Sequence, residues 1–105
     1  MPRGLVKVLT RVRALAAKER VRFTLKALRE LAALGLDARD ARETLGALRT
    51  ADFVKRLVSA ATGEWMYVYK PRVGETSIYL KLILRDGCLV VSFHEDENGN
   101  DEESA

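Results

Sequence analysis

A chain of 105 residues, 48% apolar and 31% charged, has the length and composition of one globular domain with a single modest core. Its net charge of +3 hides an asymmetry, because residues 95–105 carry six acidic and no basic groups while residues 1–94 carry eighteen basic against nine acidic, a net of +9 that favours a polyanionic partner. No apolar run reaches the ~20 residues of a bilayer-crossing helix, and Arg11 and Arg13 interrupt the place of a secretory leader, so a cytoplasmic chain with no membrane partner is expected.

The first half reads as helix. Leu5, Val8, Leu9, Val12, Leu15 and Ala16 recur at three- and four-residue intervals and form one apolar stripe. Residues 20–23 break the pattern and suit a short extended piece. Thr24 can cap a second helix whose apolar positions are Leu25, Leu28, Leu31 and Ala32, and Gly35 supplies the left-handed residue that ends it. Asp37, with Asp40 three residues on, opens a third helix that turns Ala41, Leu45 and Leu48 inward.

Near Thr50 the period changes. Residues 50–53 look like a capped turn, and residues 54–61 favour a strand because Thr62-Gly63 then turns the chain into residues 64–73. Gly74-Glu75 and Asp86-Gly87 mark two further hairpin turns, the latter a favoured two-residue signal. The expected fold class is α+β, with N-terminal helices packed on a three- to four-stranded antiparallel sheet. Residues 1–96 form the single domain, and residues 97–105 are an acidic tail with nothing to bury, expected to be disordered. Folding back over the basic face, that tail could act as a weak electrostatic block.

Strand alternation sorts the second half into two faces. Ile78, Leu80, Leu82 and Leu84, with Leu89, Val91 and Phe93, are expected to meet the helices. Their alternates include Tyr79, Lys81 and Arg85 on one strand and Val90, Ser92 and His94 on the next, and Met66, Val68, Lys70 and Arg72 alternate on the strand before. A sheet needs one apolar face; it does not need several cations and the only imidazole on the other. Such a face suits a phosphate-bearing substrate, although alternating lysines on a strand also serve simply as solvated surface. Cys88, within an apolar run, reads as a small buried hydrophobe, and being alone it excludes an intrachain disulfide. One histidine without adjacent carboxylates gives no metal site, and no cofactor motif is visible.

Several of these pieces together resemble the MqsR family of bacterial type II toxins. They are the DF-x-K turn ending at Lys55, the tryptophan strand from Trp65 through Tyr69-Lys70-Pro71-Arg72, the run Ile78-Tyr79-Leu80-Lys81, and the Val91-Ser92-Phe93 that precedes His94. Val21, Arg22 and Thr24, and the LGLD of residues 34–37, extend the likeness upstream. The resemblance implies a RelE-like RNase fold, ribosome-independent mRNA cleavage and a cognate antitoxin partner. It also implies an active face built from the lysine after the DF turn (Lys55), the residue after the tryptophan, the tyrosine of the YLK strand (Tyr79) and the residue after VSF. The last two variable positions, commonly glutamine and lysine, are here Met66 and His94.

Metal-free RNA cleavage needs a base for the ribose 2′-OH, charge stabilisation on the phosphorane and a proton for the leaving 5′-oxygen. An imidazole, with an ordinary pKa of ~6.5, serves proton transfer better than an amine. The candidate catalytic set is therefore His94 as acid or base, Tyr79 as its partner or a phosphate donor, and Lys55, Lys81 and Arg72 as charge stabilisers. Lys70 and Met66 are the candidate substrate-binding residues. The alternative is a non-catalytic RNA-binding or antitoxin-binding module on the same fold.

Overall fold

The computed structural model describes residues 3–97, so residues 98–105 of the expected acidic tail lie outside the described residues. Three helices are described, α1 (Arg3–Ala17), α2 (Leu25–Ala33) and α3 (Ala38–Gly46), with a short strand β1 (Val21–Phe23) between the first two. A 3₁₀ turn at Thr50–Asp52 then leads into β2 (Phe53–Val58), β3 (Trp65–Tyr69), β4 (Arg72–Val73), β5 (Thr76–Leu84) and β6 (Cys88–Glu95). The class is α+β, as expected.

The helix signals are realised as local chemistry. The Thr24 hydroxyl accepts the Ala27 N–H at 3.0 Å, satisfying one of the free donors of the first turn of α2. Asp37 and Asp40 form a reciprocal capping box at 3.0 and 2.9 Å. Gly35, at φ +74°, closes α2 in the left-handed region. α1 buries Leu5, Leu9, Val12, Leu15 and Ala16, and α3 with the segment that follows it buries Ala41, Leu45 and Leu48. α2 differs from the expected stripe: Ala27 and Leu31 are buried, whereas Leu25 and Leu28 are 62% and 43% exposed. The reason is that α2 packs mainly along β6, and the small Ala27 at the contact lets the helix approach on a narrow face.

The sheet is larger than expected and is partly parallel. Its order is β1-β6-β5-β3-β2, with β4 pairing β5 beside the main path, which makes six strands where three or four antiparallel ones were anticipated. The additional edge is β1, which runs parallel to β6 from Val21 opposite Cys88 to Phe23 opposite Val90. It is the short extended piece expected at residues 20–23; its pairing was not legible, because the partner lies far along the chain. The Asp86-Gly87 turn serves this junction as well. Cys88 N–H donates to Arg20 O at 3.1 Å, and a Cβ at Gly87 (φ +112°) would stand 2.8 Å from that same oxygen.

Two irregularities decide which side chains face which way. The pairing shifts between Phe53 and Lys55 in β2, and again where Lys81–Ser92 gives way to Leu82–Val90 in β6. Each inserts one extra residue, Val54 and Val91, into an otherwise alternating strand. Upstream of its bulge β6 therefore turns Cys88 and Val90 into the core, and downstream it turns in Phe93. This corrects the expectation that Leu89 and Val91 face the helices with Phe93: both are only half-buried, because period-two counting loses one residue at the bulge. The core gathers these residues with Ile78, Leu80, Leu82 and Tyr69 against the three helices.

Candidate active site

The face of the sheet turned away from the core begins at the 3₁₀ turn. The Asp52 carboxylate, 8% exposed, accepts the Arg49 N–H at 2.8 Å and pairs with the Arg49 guanidinium at 3.3 Å. Lys70 N–H donates to Asp52 O at 2.8 Å, tying the turn to the end of β3. Phe53 then packs edge-on against Tyr69, with ring centroids 5.6 Å apart. With Phe53 committed to the core face, simple alternation would send Lys55 inward as well. The bulge at Val54 turns it outward, opposite Val68.

From there the register forms one continuous row. Lys55 pairs with Val68, Val68 with Lys81, and Lys81 with Ser92, across β2, β3, β5 and β6. Val68 is completely buried and Ile83 nearly so, though neither belongs to the main core. The floor of this face is thus dry and apolar, which strengthens any electrostatic contact above it. Among the described residues Lys55 and Lys81 enter no ion pair.

Two residues along, Tyr79 lies opposite His94. Their rings are stacked, with centroids 5.1 Å apart and planes 8° from parallel. His94 Nδ1 lies 2.8 Å from Glu95 O. A carbonyl oxygen can only accept, so Nδ1 carries the proton and the neutral ring presents Nε2 as its basic nitrogen.

α2 contributes two groups that sequence reasoning missed. Lys26 Nζ donates to Ser92 Oγ at 2.9 Å and reaches Val91 O at 3.5 Å. It also pairs with Glu30 Oε2 at 2.9 Å, while Glu30 Oε1 accepts the Phe93 N–H at 2.9 Å. Burial pushes the Glu30 carboxyl up, but the Phe93 N–H, the Lys26 ammonium and the nearby His94 outweigh it and hold the group below its ordinary value. The bulge explains why Val91 O is open to such contacts: the Thr24 hydroxyl donates to it as well, at 3.3 Å. The available signal was the four-residue spacing of Lys26 and Glu30, which speaks only of one helix face.

The remaining candidates sit towards the rim. Lys70 pairs with Asp96 at 3.2 Å, so a carboxylate two residues after His94 already neutralises one cation of this face. Arg72 is exposed on β4 and donates to Glu75 O of its own hairpin at 2.7 Å. Met66 is half-buried opposite Leu57. Arg85 is engaged by Glu64, whose carboxyl it holds down at about 2 together with a contact from Thr62. Lys55, Lys81, Tyr79 and His94 are therefore brought together, whereas Lys70 and Arg72 are occupied locally. Among the described residues, no group of three His, Cys, Asp or Glu side chains could hold a metal ion. No described helix is long and apolar enough to cross a membrane.

A cationic row on an apolar floor, beside a stacked phenol and imidazole, can bind phosphate and move protons. Comparison with known proteins places the chain in a family. The mRNA interferase toxin MqsR of Escherichia coli (strain K12) is 33% identical over 88 residues, spanning 83% of this chain and 90% of that protein. The family model described as motility quorum-sensing regulator, toxin of MqsA, matches residues 6–95. With nearly the whole described chain inside that match, the protein belongs to the MqsR toxin family.

Proposed function

We propose that this chain is the toxin of a type II toxin–antitoxin pair, an endoribonuclease that cleaves mRNA independently of the ribosome by metal-free acid–base chemistry. The observation that carries the reading is the Tyr79–His94 stack beside the Lys55–Lys81 row. In this mechanism neutral His94 takes the ribose 2′-OH proton at Nε2 as that oxygen attacks the adjacent phosphorus. Lys81 and Lys55 stabilise the charge that grows on the phosphorane oxygens. Tyr79 holds the imidazole plane and offers its hydroxyl to a phosphate oxygen, and Arg72 adds positive charge at the rim. The bond to the leaving 5′-oxygen breaks, that oxygen receives the proton held on His94 Nε2, which returns the imidazole to its starting form, and a 2′,3′-cyclic phosphate remains. A cognate antitoxin would hold the activity in check, as the name of the E. coli relative's family implies for that protein.

Incubation of the purified chain with a defined RNA in EDTA tests this. The expected products end in 2′,3′-cyclic phosphate, and His94→Ala lowers kcat by about 10²–10⁴-fold, the usual range for a lost acid–base group. Full activity in that variant, together with its loss in Lys81→Ala, would move the proton transfer to another group. Tight RNA binding without cleavage would support a binding module instead.

A further inference from the structure

The cationic row does not end at β6. Ser92, its last member, receives the ammonium of Lys26 from α2 at 2.9 Å, so a third cation stands in line with Lys55 and Lys81. Resting on the RNA-cleaving reading above, we propose that single-stranded RNA lies across the strands, from β2 to α2, with Lys26 as a phosphate-binding residue at the far end of its path.

Three observations support this direction. The row from Lys55 to Ser92 spans three strand spacings of ~4.8 Å, roughly 14 Å. At ~3.4 Å per stacked nucleotide that accommodates about four nucleotides. The alternative path, along β5 and β6, runs towards Glu95, Asp96 and Glu97, a carboxylate cluster that repels a polyanion and already occupies Lys70. Lys26 is also held in place and yet accessible. Glu30, fixed by the Phe93 N–H, positions it, while its side chain remains 59% exposed. Its third contact, to Val91 O at 3.5 Å, is at the limit of a hydrogen bond and is the one a phosphate oxygen replaces.

The test separates binding from cleavage. A fluorescent twelve-nucleotide 2′-O-methyl RNA of mixed sequence, which lacks the attacking hydroxyl, is titrated with the full chain by anisotropy between 50 and 200 mM KCl. Each phosphate contact with a single strand contributes about 0.7 to the slope of log affinity against log salt. Lys26→Ala is expected to lower that slope by about 0.7 and to weaken binding several-fold at 50 mM. Lys26→Arg is expected to restore both, and Arg11→Ala, on the outer surface of α1, to change neither. Unchanged slope and affinity in Lys26→Ala, with the wild type binding normally, would overturn the proposed path and leave the cleavage reading standing. Failure of the wild-type chain to bind the oligonucleotide would overturn both.

Discussion

Tyr69 illustrates how a single side chain is constrained by its place in this fold. Its ring is fully buried against Phe53, and among the described residues its hydroxyl is buried without a hydrogen-bond partner. Burial pushes that phenol up to about 12. An unsatisfied hydroxyl in a core costs ~1–3 kcal/mol relative to a paired one. Tyr69→Phe is therefore expected to raise stability by about 1 kcal/mol in urea denaturation, with the sheet register unchanged. A loss of stability would mean that the hydroxyl has a partner. Tyr79, by contrast, keeps its ring half-exposed and stacked on the imidazole, where in the proposed mechanism removing the hydroxyl touches chemistry and not packing.

At the level of elements, the junction of α2 with β6 connects folding to the site. Beyond the end of β1, the edge of β6 is completed by the Glu30 side chain accepting the Phe93 N–H. Because the Glu30 carboxyl is held below its ordinary value near 4.5, the folded state binds that proton less readily than the unfolded chain. Its contribution to stability is present above pH ~4.5 and is lost as the pH falls through the depressed folded value. Glu30→Gln should flatten the decline in stability between pH 5 and pH 3 of about one ionisable group, measured by denaturant midpoints across that range. Lys26 and His94, the groups facing Glu30, both act to lower it, so they reinforce the sign. An undiminished decline in the variant would show that this carboxylate contributes nothing.

Over the whole molecule, cohesion comes from the helices closing on one face of the sheet, with β6 as the common partner of α2, β1 and β5. Cys88 lies at the centre of that arrangement, completely buried, with its thiol pushed up to about 12 by burial. A thiolate is the reactive form, so Cys88 should resist alkylation in the native state at neutral pH. Labelling should follow global opening: iodoacetamide modification rises only across the denaturant transition that circular dichroism reports. Rapid labelling without denaturant would place β6 in a locally unfolding segment and would argue against a rigid site built on it.

Much of this could be read directly from the residues. The caps at Thr24 and Asp37, the end of α2 at Gly35, the hairpin turns and the alternation along β5 are local, so neighbours in sequence determined them. Lys81, Tyr79 and His94 were placed on one face for the same reason. Three features depended on the tertiary structure. β1 found its parallel partner at the far end of the chain because only the folded sheet offers the open edge of β6. The bulges at Val54 and Val91 shifted the alternation because Phe53 must pack on the core while Lys55 stays out of it, and because Val90 and Phe93, three residues apart, must both face the core. Lys26 and Glu30 joined the site because α2 packs along β6, a contact between residues more than sixty positions apart that no periodicity within either element encodes.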